Sequence, residues 1–250
     1  MERMGLELSK KEKQKMKQFE LSSRESFVIY LQELITRTYK CIRKHKRYLD
    51  KLESYINIKS DDKTTKDVRV PEEDYSEFLS LLSDVESYLL NLIGDHQQSS
   101  MSYKKFREVL DRKNKKGHID FEVRKLDEDI AEYLSQLNKL RNWQNHVPES
   151  LLTSQIRFIE EGKMEGYFEN PIVININNYY TLEYLIDLYN GSKNFHNVIV
   201  KVHQNMKKDY SCLIGESVRI EKNYIETSVK ICVTEATKMS AEIQGLNITK

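Results

Sequence analysis

The residues best suited to chemistry in this chain are Arg141, Asn142 and His146, in the stretch LRNWQNHVPESLL from Leu140 to Leu152. An arginine stays charged at any working pH and offers a planar fork that binds oxyanions at two oxygens. A histidine titrates near neutrality and is suited to moving a proton. Together they meet the two needs of metal-free attack on a charged ester: a proton carrier, and a fixed cation against developing negative charge. Asn142 adds an amide that can orient either group.

Spacing decides whether the two groups can meet. On an unbroken helix, residues five apart point about 140° away from each other. Pro148 disfavours the helical conformation at Val147 and offers no N–H to the carbonyl of Gln144. A bend between Gln144 and Pro148 is therefore expected, turning His146 toward Arg141 of its own chain or of a second copy. The competing reading is structural: Arg141 and Asn142 satisfy the last carbonyls and the dipole of a helix, His146 caps the break, and Trp143 packs on its neighbours. A second Arg-to-His spacing, Arg112 to His118, falls in the basic, glycine-containing segment KNKKGH with no apolar helix around it. We read that one as coincidence, the usual fate of a short motif.

The elements that must position these residues are helical. Phe27, Leu31, Leu34, Ile35, Thr38, Ile42, Leu49, Leu52 and Ile56 recur at steps of three and four, one face of a long amphipathic helix. Cys41 and His45 lie on or beside that stripe, and His45 reads as a satisfied core or interface residue. A polar break from Asn57 to Val70 leads to Pro71, suited to a first helical turn. Tyr75, Phe78, Leu79, Leu82, Val85, Leu89, Leu92 and Ile93 make the next stripe, ended by Gly94. Ser102 is placed to cap a shorter helix. Leu126, Ile130, Tyr133, Leu134, Leu137 and Leu140 predict the helix that carries Arg141. Ile172 to Ile176 alternates as a short extended segment would, Thr181 opens another long helical pattern, and the segment after Gly215 leans to helix. The chain divides as a charged N-terminal helix or arm at 1–25, a helical bundle at 26–162, and a C-terminal helical extension at 163–250 that includes a short strand pair as an option.

Composition agrees and narrows the field. Only 8 Gly and 3 Pro punctuate 250 residues of which 32% are charged, which favours long helices. A formal charge of +1 gives no global basic field. Three scattered cysteines, Cys41, Cys212 and Cys232, form neither a disulfide framework nor a zinc motif, so a cytoplasmic setting is expected. No apolar run reaches the length of a membrane span and no signal-peptide pattern opens the chain. His196 and His203 are seven apart, where metal ligands on one helix are more naturally three or four apart; no metal or cofactor is expected. Phosphate-binding glycine loops and serine-hydrolase elbows are missing.

LNKLRNWQNHVP resembles the signature of HEPN-domain proteins, an all-helical superfamily whose members carry an Arg, a polar residue such as Asn, and a His at this spacing near a helix end. The resemblance covers that motif and the bundle before it, roughly Ser26 to Gly162. It implies a metal-independent endoribonuclease in a toxin or anti-phage defence setting. It also implies a homodimer whose two motifs meet, with RNA as substrate and a protein partner or antitoxin as an option. Arg141, Asn142 and His146 become the catalytic set, with Lys113, Lys115 and Lys116 as substrate contacts. Some members add an acidic residue from an earlier helix, for which Glu86 and Asp84 are the candidates. The alternatives are an all-helical interaction protein without catalysis, and an RNA binder that does not cut. The fold class expected on every reading is all-α.

Overall fold

The computed structural model describes residues 19–60, 67–95, 100–119, 121–145, 149–162 and 177–221. Among them run six helices and one two-stranded ribbon: α1 (Arg24–Lys59), β1 (Arg69–Pro71), α2 (Glu72–Gly94), α3 (Tyr103–Lys115), α4 (Glu128–Asn145), α5 (Glu149–Glu160), β2 (Tyr179–Thr181) and α6 (Leu182–Ile214). The protein is all-α, as expected. His146, Pro148, the N-terminal segment to Gln18, the Ile172–Ile176 alternation and the chain from Lys222 onward lie outside the described residues.

Helix α1 starts where its caps allow. Ser23 accepts the N–H of Ser26 at 3.3 Å while the Ser26 hydroxyl accepts the N–H of Ser23 at 3.0 Å, a reciprocal cap that satisfies two otherwise orphaned donors. Its 36 residues extend about 54 Å, and the 33 of α6 nearly match it. The two lie antiparallel: the Arg24 side chain donates to the carbonyl of Leu213 at 2.6 Å, the Ile35 carbonyl meets His203 at 3.2 Å, and Tyr189 donates to Glu53. Gly215, in the left-handed region at φ +79°, closes α6 by donating to the Ser211 carbonyl, a conformation that costs glycine little. One compact unit extends to Val218. Helix α6, which the sequence placed in a C-terminal extension, is therefore a main wall of the bundle.

Helix α2 runs back along α1. Tyr55 donates to Asp74 at 2.5 Å near one end, and Arg37 donates to the Tyr88 hydroxyl at 3.1 Å near the other. Pro71 is both the last residue of β1 and the N-cap of α2. It stands one position earlier than the sequence suggested, and Glu72, Glu73 and Asp74 follow it at the positive end of the helix dipole. β1 pairs antiparallel with β2 through Arg69–Thr181, Val70–Tyr180 and Pro71–Tyr179, so α2 and α6 leave one small ribbon side by side. Helix α4 is antiparallel to both, which completes an up-down-up-down bundle with α1 and α4 on one diagonal.

The main core gathers Phe27, Leu31, Leu34, Leu89, Leu90, Ile93, Tyr103, Phe106, Leu134, Leu137, Ile199, Val202 and Met206. A second cluster of Leu49, Leu52, Val70, Leu82, Leu182 and Leu185 lies toward the ribbon. One polar network is buried between α3 and α6. Asp209 receives Tyr103 at 2.6 Å, Arg107 at 3.2 Å and Arg124 at 3.0 Å, and Arg124 also donates to Asn205 at 2.5 Å. Burial, with the Asp209 charge behind it, raises the Tyr103 hydroxyl well above its ordinary pKa. Among the described residues no helix is long and apolar enough to cross a membrane.

Candidate functional site

Arg141 is positioned by a close helix crossing. A side-chain carbon added at Gly94 would stand 3.0 Å from the Asn138 backbone nitrogen and 3.1 Å from its Cα, so the last turn of α2 touches the backbone of α4. Asn138 seals the contact by donating to the Gly94 carbonyl at 2.6 Å. The inward positions of α4 are then Ile130, Leu134, Leu137 and Arg141, a run of steps 4, 3 and 4. The arginine stands where the next core leucine would be.

The apolar pattern had continued through Leu140, which is 40% exposed, while Arg141 is 9% exposed. That one-step difference brings the guanidinium inside. Nη2 pairs with Asp95 at 3.1 Å, Nε donates to the Asn91 side-chain oxygen at 3.1 Å, and Nη1 donates to the Asn142 side-chain oxygen at 3.2 Å. A paired and hydrogen-bonded buried cation is tolerated where a bare one would not be. Asp95 is itself held in place, because its carbonyl accepts the Ser102 hydroxyl.

The charge of Arg141 is compensated by a carboxylate and each of its three nitrogens makes one hydrogen bond, which commits three of its five N–H groups in a buried setting. Asn142 is exposed and gives Arg141 its oxygen, which turns the amide N–H₂ into the donor. Trp143, which the structural reading expected to pack on the bundle, is 59% exposed. Helix α4 is described to Asn145 and α5 from Glu149; His146 falls between them, outside the described residues.

Neither of the acidic residues expected from an earlier helix serves Arg141. Asp84 is exposed. Glu86 is committed to His45, whose Nε2 lies 2.9 Å from its carboxylate. The acid that does serve Arg141 is Asp95, which follows the glycine ending α2, and a search for acids on the helix stripe passes over it. Lys113, Lys115 and Lys116 stand at the far end of α3, about 16 Å along the helix from the Ser102 end that meets Asp95, so they are not brought to Arg141. His118 follows Gly117, which has φ +65°, and is exposed.

A cluster that the sequence does not pair lies between α1, α2 and α6. His45, fully buried, stacks on His196 with ring planes 10° apart, and their Nδ1 atoms are 3.1 Å apart. That contact requires one ring to donate and the other to accept, so at least one ring of the pair is neutral. Burial and the neighbouring His45 and Lys46 press His196 down to about 4. His203, beneath Tyr39, is held at about 4 by burial. These histidines brace helices. Among the described residues no group of three or more His, Cys, Asp or Glu could hold a metal ion.

Comparison of the chain with protein-family models, with curated proteins and with solved structures finds no match.

Proposed function

We propose that this chain is a metal-independent endoribonuclease of the HEPN type. The observation that carries the reading is the fixed Asp95–Arg141–Asn142 line at the end of α4, four residues ahead of His146. In this scheme Arg141 is a positioning residue: held on Asp95 and Asn91, it orients the Asn142 amide toward a phosphate oxygen and contributes its residual field. His146 takes the proton of a ribose 2′-hydroxyl. The 2′-oxygen then bonds to phosphorus, the bond to the 5′-oxygen breaks, and that oxygen leaves with a proton from water, while His146 returns its own proton to solvent. The products are a 2′,3′-cyclic phosphate and a 5′-hydroxyl. A homodimer that juxtaposes two such sites, and a toxin or anti-phage defence setting, belong to the same proposal.

The competing reading is a helical interaction protein without catalysis. It is favoured by the buried ion pair of Arg141 with Asp95 and by an apolar groove of about 500 Å³ lined by Leu137, Leu140, Phe195 and Val198. Asn142→Ala separates the two. It removes an exposed amide and no core packing, so the fold is retained on either reading. The ribonuclease reading expects a fall in turnover of about 10²-fold, the cost of one oxyanion donor, with cyclic-phosphate ends on the wild-type products. The absence of cleavage by the wild-type chain across structured and unstructured RNAs would favour the interaction protein.

A further inference from the structure

The outer face of α1 carries a stripe of cations. Lys40, Arg43, Lys44, Arg47 and Lys51 are all exposed and fall within about 100° of one another around the helix, over about 16 Å of its length. Among the described residues none of the five is ion-paired. On the same helix, by contrast, Arg37 pairs with Glu33 at 2.6 Å and Lys46 with Asp50 at 2.5 Å. Lys40–Lys44, Arg43–Arg47 and Arg47–Lys51 are like charges one turn apart, an arrangement that works against the helix. Two of the cations rest over tyrosine rings, Arg43 at 5.9 Å from the centre of Tyr39 and Lys44 at 5.6 Å from that of Tyr48, which holds them at the surface. In a chain of net charge +1, this is a local concentration of uncompensated charge.

One turn before the stripe, α1 is linked to the Arg141 site across α2. Arg37 of α1 donates to the Tyr88 hydroxyl, and Arg141 of α4 donates to the Asn91 side chain. Tyr88 and Asn91 are three residues apart on α2 and so adjacent on one face. The Tyr88 ring is exposed, with its hydroxyl on Arg37 of α1.

We propose that the α1 stripe and Tyr88 form a track for single-stranded RNA, with phosphates along Lys40, Arg43, Lys44, Arg47 and Lys51 and a base against Tyr88, leading to Asn142. The identity of the nucleic acid rests on the ribonuclease reading. Counterion release by clustered cations supplies affinity, and an exposed aromatic ring supplies a sequence-tolerant stacking surface. An anionic membrane is a poorer fit: an interfacial helix needs an apolar face for the lipid, and that of α1 is buried against α2 and α6.

The test uses the full chain and a labelled 2′-O-methyl oligoribonucleotide, which lacks the nucleophile and cannot be cut, titrated over a range of salt concentrations. Replacing the five cations by Gln is expected to weaken binding at least tenfold near 0.1 M salt. It should also flatten the slope of log K against log salt by up to about 3.5. Tyr88→Ala should weaken binding several-fold and leave that slope intact. Lys125, Lys193, Lys201, Lys208 and Arg219, all exposed, replaced together by Gln, make the equal-charge control and should bind nearly as the wild type does. Wild-type affinity and slope in the five-cation variant would overturn the proposal. So would a wild-type chain that ignores the oligonucleotide and binds phosphatidylserine vesicles. Cleavage of ordinary RNA is scored separately: binding that depends on the stripe in a chain that never cuts leaves the track standing and removes the nuclease.

Discussion

Asp95 holds the positioning of Arg141 together, so its neutral and truncated variants should differ in kind. Asp95→Ala leaves the Arg141 guanidinium buried without its counter-charge, and a loss of about 3–5 kcal/mol in denaturant unfolding is expected. Asp95→Asn keeps an acceptor for Nη2 and should cost less than half of that. If both variants unfold at the wild-type midpoint, the ion pair does not pin α4. Asp209 makes the same argument in the α3–α6 network. Asp209→Ala would take from Arg107 and Arg124 the buried carboxylate they share and leave them only the more exposed Asp111 and Asp127, with an expected loss of about 3 kcal/mol, and the loss should shrink if Arg124 is removed as well. His203 supplies a pH prediction whose sign follows from proton counting. Its folded pKa of about 4 lies below the ordinary 6.5, so the unfolded chain binds the extra proton between those values. Stability should be full above about pH 6.5 and fall as pH drops toward 4, by up to about 3 kcal/mol from this group, with His196 adding in the same direction. A melting temperature that does not change across that window would contradict the buried, neutral assignment.

At the scale of elements, the Gly94 crossing sets how closely α2 and α4 approach and therefore where Arg141 sits. Gly94→Ala should push the helices apart and cost about 1–3 kcal/mol. Thermal unfolding measures this, and any cleavage activity should fall by more than stability explains, because the Asp95–Arg141–Asn142 line shifts with α4. Helix boundaries are what the sequence shows best here. Phe27 through Ile56 marks α1, Gly94 and Gly215 end their helices, and Ser102 caps α3, because periodicity and capping are local properties of the chain. The site is legible only in part. The RNWQNH spacing points to Arg141 and Asn142, but no local signal tells that Arg141 replaces a core leucine while Leu140 faces out. That outcome depends on which face α4 turns to Gly94. Nor could Asp95 be chosen over Glu86, since Glu86 is drawn to His45 from a helix about 40 residues away in sequence. The cation stripe of α1 is readable from spacing alone, because its steps of three and four fall opposite the apolar ones.

For the whole molecule, α2 joins the two ends of the account, with Tyr88 meeting Arg37 of α1 and Asn91 meeting Arg141 of α4. Helix α6 is the main brace of α1. The buried cluster at His45 belongs to that bracing and the one at Asp209 ties α6 to α3, so both bear on stability and on pH response more than on chemistry. The exposed end of α4, with Asn142 and Trp143, is left for substrate or for a second copy. The account turns on whether that end is an active site. The most direct measurement incubates the wild-type chain and His146→Ala with a mixed tRNA and mRNA pool in EDTA, after circular dichroism and light scattering show equal folding and equal oligomeric state. The account predicts cleavage with 2′,3′-cyclic phosphate ends by the wild type, and a loss of about 10²-fold or more in the variant. Equal cleavage by the two proteins, or none by either, would contradict it.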